Sequence, residues 1–574
     1  MAGSFVLVLH THLPYVLNHG KWPHGSDWLT EAAAECYIPL LNECHALLAD
    51  GISPNITFSM TPVLVEQLAD AAFARMFTDY LDERAEAADR DQRDLAADPH
   101  LSWLAGWWAR WYRARREDFT VRYASDLIGA FRELFERGAI GLQTAGATHG
   151  YFPLLGRDES INAQLAGAVA SHRRHFGAHP RGVWMPECAY RGCYEWRSPV
   201  PNPYSPVGTR KGVEQLLAEH SLEYTVVDSH LTLGGQARGI WGPRFRAVRE
   251  MVESGQRFLP LDDTRSVHDL YRICSTGRPE SGTSVIFTRD TDTTMRVWSG
   301  TYGYPGEGNY LEFHKKYHNS GHRYWAVTDS KADLGAKRTY HPDWVDEKVR
   351  GHARHFATIV EQEMWKFQAS TGRHGTLAAP FDTELFGHWW FEGPRFIGHL
   401  LREIAASPII HARSAAAELD FKDPGMIIQV PEGSWGDGGD HRVWMNDTVN
   451  WTWPRIYETE ERFIRLLRSR TGDDTREERI LRQLARELML LQASDWQFLM
   501  TTGSAVDYAT ERFQGHYRNA DFLAGLVERS RDKALVPLSD HEELARIEAL
   551  DRIFPDLSLD WFDDDKTSLC AQRA

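Results

Sequence analysis

The chain has 574 residues, with 64 Lys and Arg against 80 Asp and Glu for a net charge of −16, and 42% of it is hydrophobic. Such a length supports a large core and more than one domain, while the acidic balance, with no basic cluster interleaved with aromatics, argues against nucleic acid as a partner. Six cysteines without metal-type spacing read as reduced thiols, and the lack of a basic leader or a bilayer-length apolar run gives the expectation of a cytoplasmic protein with no membrane partner.

Phe5-Val-Leu-Val-Leu9 is an apolar run that ends in His10-Thr-His12-Leu-Pro-Tyr15, so a continuing strand would set two imidazoles on one side. Helical periodicity from Glu31 to Leu48 closes at Gly51, and a second strand follows at Ile56 to Met60. A charge-dense stretch, Asp82 to Asp98, then precedes Leu101 to Tyr112, where Trp103, Trp107 and Trp111 fall at i, i+4 and i+8. This spacing predicts a helical insertion whose aromatic stripe packs on the body of the protein.

Five more apolar runs recur: Ile140 to Thr144, Gly182 to Met185, Tyr224 to Val227, Val285 to Thr288 and Leu377 to Phe381. Beyond them stand His149, Glu187, Asp228, Arg289 and Asp382, and helical segments such as Ser160 to Phe176 and Val213 to His220 lie between. Buried strands followed by polar residues at their C-terminal ends are the pattern of an α/β barrel with its site at that face. No Gly-x-Gly-x-x-Gly turn follows the first strand, which argues against a dinucleotide fold.

Trp196 to Gly208 is Pro-rich, and Thr232 to Phe258, carrying Trp241, is a long excursion; both fit loops at the mouth of a barrel. Beyond Ala406 the pattern turns helical, with periodic segments at Glu458–Leu467, Arg476–Leu491, Asp507–Glu528 and His541–Ile553. A Gly-rich stretch from Pro431 to Trp444, holding Trp435 and Trp444, interrupts it and is expected to reach the site from this second region.

Two of the strand ends share a context. Glu187 and Asp382 each close an apolar run and each sits among aromatic side chains. Paired carboxylates in such surroundings suit acid catalysis, because desolvation raises the pKa of one while a polar setting keeps the other ionised. The residues alone do not say which does which. The 21 tryptophans offer flat faces for stacking on pyranose rings, which directs attention to carbohydrate.

Taken together, the chain resembles glycoside hydrolase family 57 and, within it, the 1,4-α-glucan branching enzymes. The resemblance rests on His10 to Tyr15, Ala147 to Tyr151, Trp184 to Tyr190, Val297 to Gly308, Phe381 to Trp390, Pro431 to Gly436 and Ala493 to Trp496, in order along nearly the whole chain. It implies an α/β fold: an incomplete (β/α)7 barrel over 1–76 and 117–405, a helical insertion over 77–116, and a C-terminal α-helical domain over 406–574 that closes the cleft. It also implies retaining chemistry, with Glu187 as nucleophile and Asp382 as general acid/base, their carboxyls about 5 to 5.5 Å apart. The implied partner is an α-1,4-glucan such as amylose or glycogen, with no metal or cofactor, bound by a monomer or homodimer.

Residue by residue, the resemblance gives His10, His12 and His149 to the sugar at the cleavage point. Arg289, Trp298 and Gly306 become substrate contacts on the barrel, Trp389 a neighbour of the acid, and Trp435, Trp444 and Asp495 contributions from the helical region. Branching members carry Tyr at the tip of the long loop, where this chain has Trp241. An indole presents only an N–H donor, which leaves a 4-α-glucanotransferase or α-amylase of the same family as the alternative. From other classes, His-x-His after a first strand also fits a metal-dependent hydrolase completed by Glu187, Asp382, His149 or His230, and the tryptophans fit a non-catalytic glucan-binding protein.

Overall fold

The computed structural model describes residues 1–21, 23–240, 264–299, 302–329, 331–470, 474–531 and 537–563. Among the described residues, seven parallel strands form a curled sheet: β1 (Gly3–Thr11), β2 (Thr57–Met60), β3 (Gly141–Ala145), β4 (Val183–Trp184), β5 (Tyr224–Val227), β6 (Ser284–Thr288) and β7 (Gly375–Asp382). β7, β1, β2, β3 and β4 are laddered in that order, and β5 pairs with β6. Among the described residues, single bridges, Gly182 to Tyr224 and Arg289 to Ala378, join the two groups. The result is an incomplete barrel with two thin seams.

All nine residues of β1 are buried, which is why the run reads as continuously apolar rather than alternating. Val6 and Val8 turn into the barrel with Ala145, Trp184, Val226, Phe287 and Ala378, while Phe5, Leu7 and Leu9 turn outward into the core shared with the surrounding helices. Burying a side chain such as Val8 contributes about 1.5–3 kcal/mol, so both faces stabilise the strand. The register sets Val6 beside Ala378, Val8 beside Pro380 and His10 beside Asp382. The last pair therefore faces the barrel interior at its C-terminal mouth.

The insertion is a hairpin of two helices, α1 (Ala71–Asp94) and α2 (Pro99–Glu117). Asp98 caps α2 by accepting from the N–H groups of His100 and Leu101, and Pro99 occupies the first helical position. The buried line of α2 runs one position beyond the expected stripe, through Leu104, Trp108 and Tyr112. Trp107, Trp108 and Trp111 gather around Phe391, with ring centroids 5.2 to 6.0 Å away, whereas Trp103 is 41% exposed. Both lines have helical spacing, and the tighter packing of the second decides which turns inward.

The C-terminal region contains the helices Thr452–Arg468, Thr475–Leu491, Asp495–Thr502, Val506–Arg531 and Leu538–Leu550. Its first part departs from the helical expectation. Ile410–Ala412 pairs in parallel with the start of β1, and Met426–Gln429 lies between Tyr271–Ile273 and Gln236–Ile240 in the sheet that extends β6. These short Ile-rich runs are strands because the barrel supplies an edge for them. Trp241 and the rest of the long loop to Phe258 lie outside the described residues.

Candidate active site

Strand order dictates residue order. Starting from Asp382 at the end of β7, the ladder passes His10 within β1 and His12 just after it, Ser59 and Thr61 at β2, and His149 after β3, and reaches Glu187 after β4. His149 and Glu187 are both in left-handed backbone, φ 62° and 61°, and Cys188 follows at 50°. Such conformations cost about 1–3 kcal/mol each in residues other than glycine and persist where surrounding structure holds them. Here the Ser494 N–H donates to the His149 carbonyl at 3.0 Å and the Trp435 N–H to the Glu187 carbonyl at 3.1 Å.

The same two residues also reach the Glu187 carboxylate with their side chains. Trp435 Nε1 donates to Oε2 at 2.9 Å and Ser494 Oγ donates to Oε1 at 3.1 Å. With its proton committed to Glu187, Ser494 Oγ accepts from His149 Nδ1 at 2.8 Å, which leaves His149 Nε2 to accept from His10 Nε2 at 3.0 Å. Both imidazoles are 2% exposed. Burial and the neighbouring histidines hold their pKa values well below the usual range, so both are neutral. The chain of bonds thus runs from His10 through His149 and Ser494 to the Glu187 carboxylate.

His12 differs. Burial lowers its pKa, but the Asp495 carboxylate, accepting from Nε2 at 3.0 Å, outweighs that and holds the imidazole above its ordinary value. Thr61 Oγ1 engages Nδ1 at 3.1 Å. His12, His149 and Asp495 bring their ligand atoms within 4.8 Å of one another, the closest approach to the metal reading at this mouth. Both nitrogens of each ring already have partners within the protein.

The two acids are in unequal environments. Burial raises Glu187 to about 7, against the opposing Trp435 N–H bond. Asp382 is pushed well above the usual carboxylate range by burial and by the charges of Glu384 and Glu187, with Arg289 opposing. Among the described residues no donor reaches the Asp382 carboxyl. Glu384, itself raised to about 7 by burial, accepts from the Tyr37 hydroxyl at 2.7 Å. Arg289 is held by Asp228 through contacts of 2.6 and 3.2 Å.

Asp382 opens onto a cavity of about 570 Å³ walled by Trp298, Phe313, Leu385, Trp389 and Trp390, with Gly306 at its rim. Trp298 meets Trp435 edge to face at 6.0 Å, and Trp435 bonds Glu187, so the aromatic wall runs from one acid to the other. Trp389 is 53% exposed and packs against Phe313, with ring centroids 4.4 Å apart and a tilt of 32°. Trp444 does not come to this wall. It is 1% exposed, stacked on Tyr151 at 4.5 Å, and belongs to the core beneath the Gly-rich loop.

Two residues of the site were not singled out from the sequence. Ser494 lies in a turn between helices and meets Glu187 across 307 positions, a contact with no local signature. Glu384 was within reach of inspection, as a third acid two positions after Asp382 in a strongly aromatic stretch.

Residues 6–373 match the sequence model of glycosyl hydrolase family 57, a span that includes Glu187 and ends just before Asp382. The chain belongs to glycoside hydrolase family 57. Residues 455–562 further match the C-terminal region described for 1,4-alpha-glucan branching enzymes. A 1,4-alpha-glucan branching enzyme of Thermococcus kodakarensis is 39% identical over 531 residues, 92% of this chain and 74% of that protein. The crystal structure of a family 57 branching enzyme from Pyrococcus horikoshii superposes with a TM-score of 0.87 at 38% identity, covering 98% of this chain and 97% of that one. The alpha-amylase AmyC of Thermotoga maritima, another similar structure, gives 0.79 at 27% identity over 98% and 99% of the two chains.

Proposed function

We propose that the chain is a 1,4-α-glucan branching enzyme that works with retention, Glu187 acting as nucleophile and Asp382 as general acid/base. The observation that carries the assignment is the unequal treatment of the two carboxyls. Glu187 accepts two hydrogen bonds that favour its anion, while Asp382 has none among the described residues and faces two other carboxylates. At pH 7 about half of the first is ionised, a fraction that grows as pH rises, while burial and the neighbouring carboxylates hold the proton on the second, which is the division of labour a retaining enzyme needs.

An α-1,4-glucan lies along the Trp298 and Trp389 wall. Asp382 gives its proton to the glycosidic oxygen as the bond to the anomeric carbon breaks and a Glu187 oxygen bonds that carbon, with inversion. The freed chain departs. Asp382, now ionised, takes the proton of the 6-hydroxyl of an acceptor glucan, whose oxygen displaces Glu187 with a second inversion. An α-1,6 branch results, and water in place of the acceptor would give hydrolysis.

Incubation with amylose followed by proton NMR of the anomeric region tests the reading. New α-1,6 signals with few new reducing ends are expected. Reducing ends without α-1,6 signals would instead establish an amylase, the second reading, which the similarity to AmyC favours; redistribution of chain lengths with neither would indicate a 4-α-glucanotransferase.

A further inference from the structure

A second aromatic site stands on the far side of one cavity wall. Segments 309–311, 326–327 and 337–338 contribute to two cavities: Leu311, Val327 and Lys337 line the one that holds Asp382, whereas Asn309, Ala326 and Arg338 line another of about 300 Å³. Thr339, His341 and Trp344 complete the second. Trp344 is 55% exposed, a large indole that the fold does not bury.

That indole is fixed in place. Trp344 stacks on His341 at 3.8 Å and 7°, His341 stacks on His100 at 3.9 Å and 19°, and Trp103, 41% exposed, extends the column at 5.8 Å. His100 donates from Nε2 to the Tyr340 carbonyl at 2.8 Å, tying the column to both α2 and the cavity wall. A rigid aromatic presented to solvent loses little conformational entropy on binding. Around it, the side chains of Asn309, Arg338 and Thr339 have no hydrogen bond or ion pair among the described residues. An amide, a guanidinium and a hydroxyl grouped beside an aromatic face form the mixed apolar and polar lining that small-molecule sites use.

We propose that this cavity binds a short stretch of α-1,4-glucan, with Trp344 as its platform and Asn309, Arg338 and Thr339 bonding the sugar hydroxyls. The proposal rests on the substrate class read from the catalytic cavity. Its basis is proximity: a chain of many identical units that occupies one cavity can reach the other across a single wall. A polymer held at a second point raises the effective concentration of its chain at the first, which serves a reaction requiring both a donor and an acceptor chain.

The test uses the full chain. Native electrophoresis through glycogen compares Glu187→Gln, which leaves the polymer intact, with the same protein carrying Trp344→Ala. The apparent Kd for glycogen is expected to rise about tenfold, as for an aromatic anchor in an interface. In the otherwise native protein Trp344→Ala should raise KM for amylose to a similar extent and leave kcat/KM for maltoheptaose unchanged, with Trp344→Phe recovering most of the loss. Unchanged glycogen affinity, an equal loss on maltoheptaose, or a parent protein that sediments as a dimer while Trp344→Ala sediments as a monomer would each overturn the assignment. Turnover of amylose by Glu187→Gln would instead remove the catalytic reading, a result visible without reference to Trp344.

Discussion

Trp435→Phe removes one hydrogen bond to the nucleophile. Phenylalanine keeps one aromatic ring against Trp184 and Trp298, which the indole meets at 5.0 and 6.0 Å, and gives up the fused second ring together with the N–H that donates to Glu187 at 2.9 Å; the pH dependence separates the two losses. A hydrogen bond to a charged group contributes about 1.5–3 kcal/mol, and about 1.4 kcal/mol corresponds to one pH unit. The acid limb of the kcat/KM profile, set by Glu187 at about 7, therefore moves alkaline by roughly one to two pH units. At pH 7 the ionised fraction falls from about half to between about a tenth and a hundredth, a loss of roughly 5- to 50-fold in rate that recovers as pH rises. The assay is reducing-end and branch formation from amylose across pH 5 to 10. An acid limb that stays in place while activity drops equally at every pH would refute the reasoning and reduce Trp435 to a packing residue.

Glu187→Gln should stabilise the fold selectively at high pH. The carboxyl's folded pKa, about 7, lies above its ordinary 4.5, so the folded state binds the proton more tightly and stability declines as pH rises from 4.5 through 7, to a deficit of about 3 kcal/mol. Gln keeps an acceptor for Trp435 without the charge, so thermal melts should show a higher Tm for the variant at pH 8 and an equal one near pH 4; equal values at both would contradict the burial argument. Glu384→Gln retains an acceptor for the Tyr37 hydroxyl but removes a charge that raises Asp382. Its alkaline limb should move to lower pH, and an unmoved limb would show that Glu384 does not act on the acid.

The barrel was legible because its strands are buried on both faces and so read as unbroken apolar runs; the seven expected runs and the seven strands differ by a few residues at their ends. Their polar terminators were legible for the same reason, since a charge that ends such a run must sit at the mouth. The Gly-rich loop was misleading in part. Both of its tryptophans were expected to reach the site, yet a Cβ on Gly436 would meet the Trp444 ring at 2.7 Å and one on Gly433 the Gly439 carbonyl at 2.5 Å. Gly433 and Gly436 are there for close packing, which buries Trp444, whereas Gly438 and Gly439 take left-handed backbone, φ 78° and 74°; Trp435 faces the acid. The left-handed conformations of His149 and Glu187 have no signature in side chains that normally avoid them.

Those two conformations explain how the C-terminal region bears on chemistry at the barrel. Ser494 and Trp435 each act twice: a backbone N–H holds the carbonyl of a strained residue, and a side chain bonds the Glu187 carboxylate. The barrel provides the residue but not the donors that lower its pKa, nor those that fix its backbone. If the C-terminal segments were displaced, Glu187 would lose both hydrogen bonds at once, together with the cover and the Asp495 charge that raise its pKa; its carboxyl would ionise more readily in water but would lose the two donors that fix its position. Docking of the helical region is therefore part of making the nucleophile, because the Trp435 and Ser494 donors that hold its carboxylate come from this region.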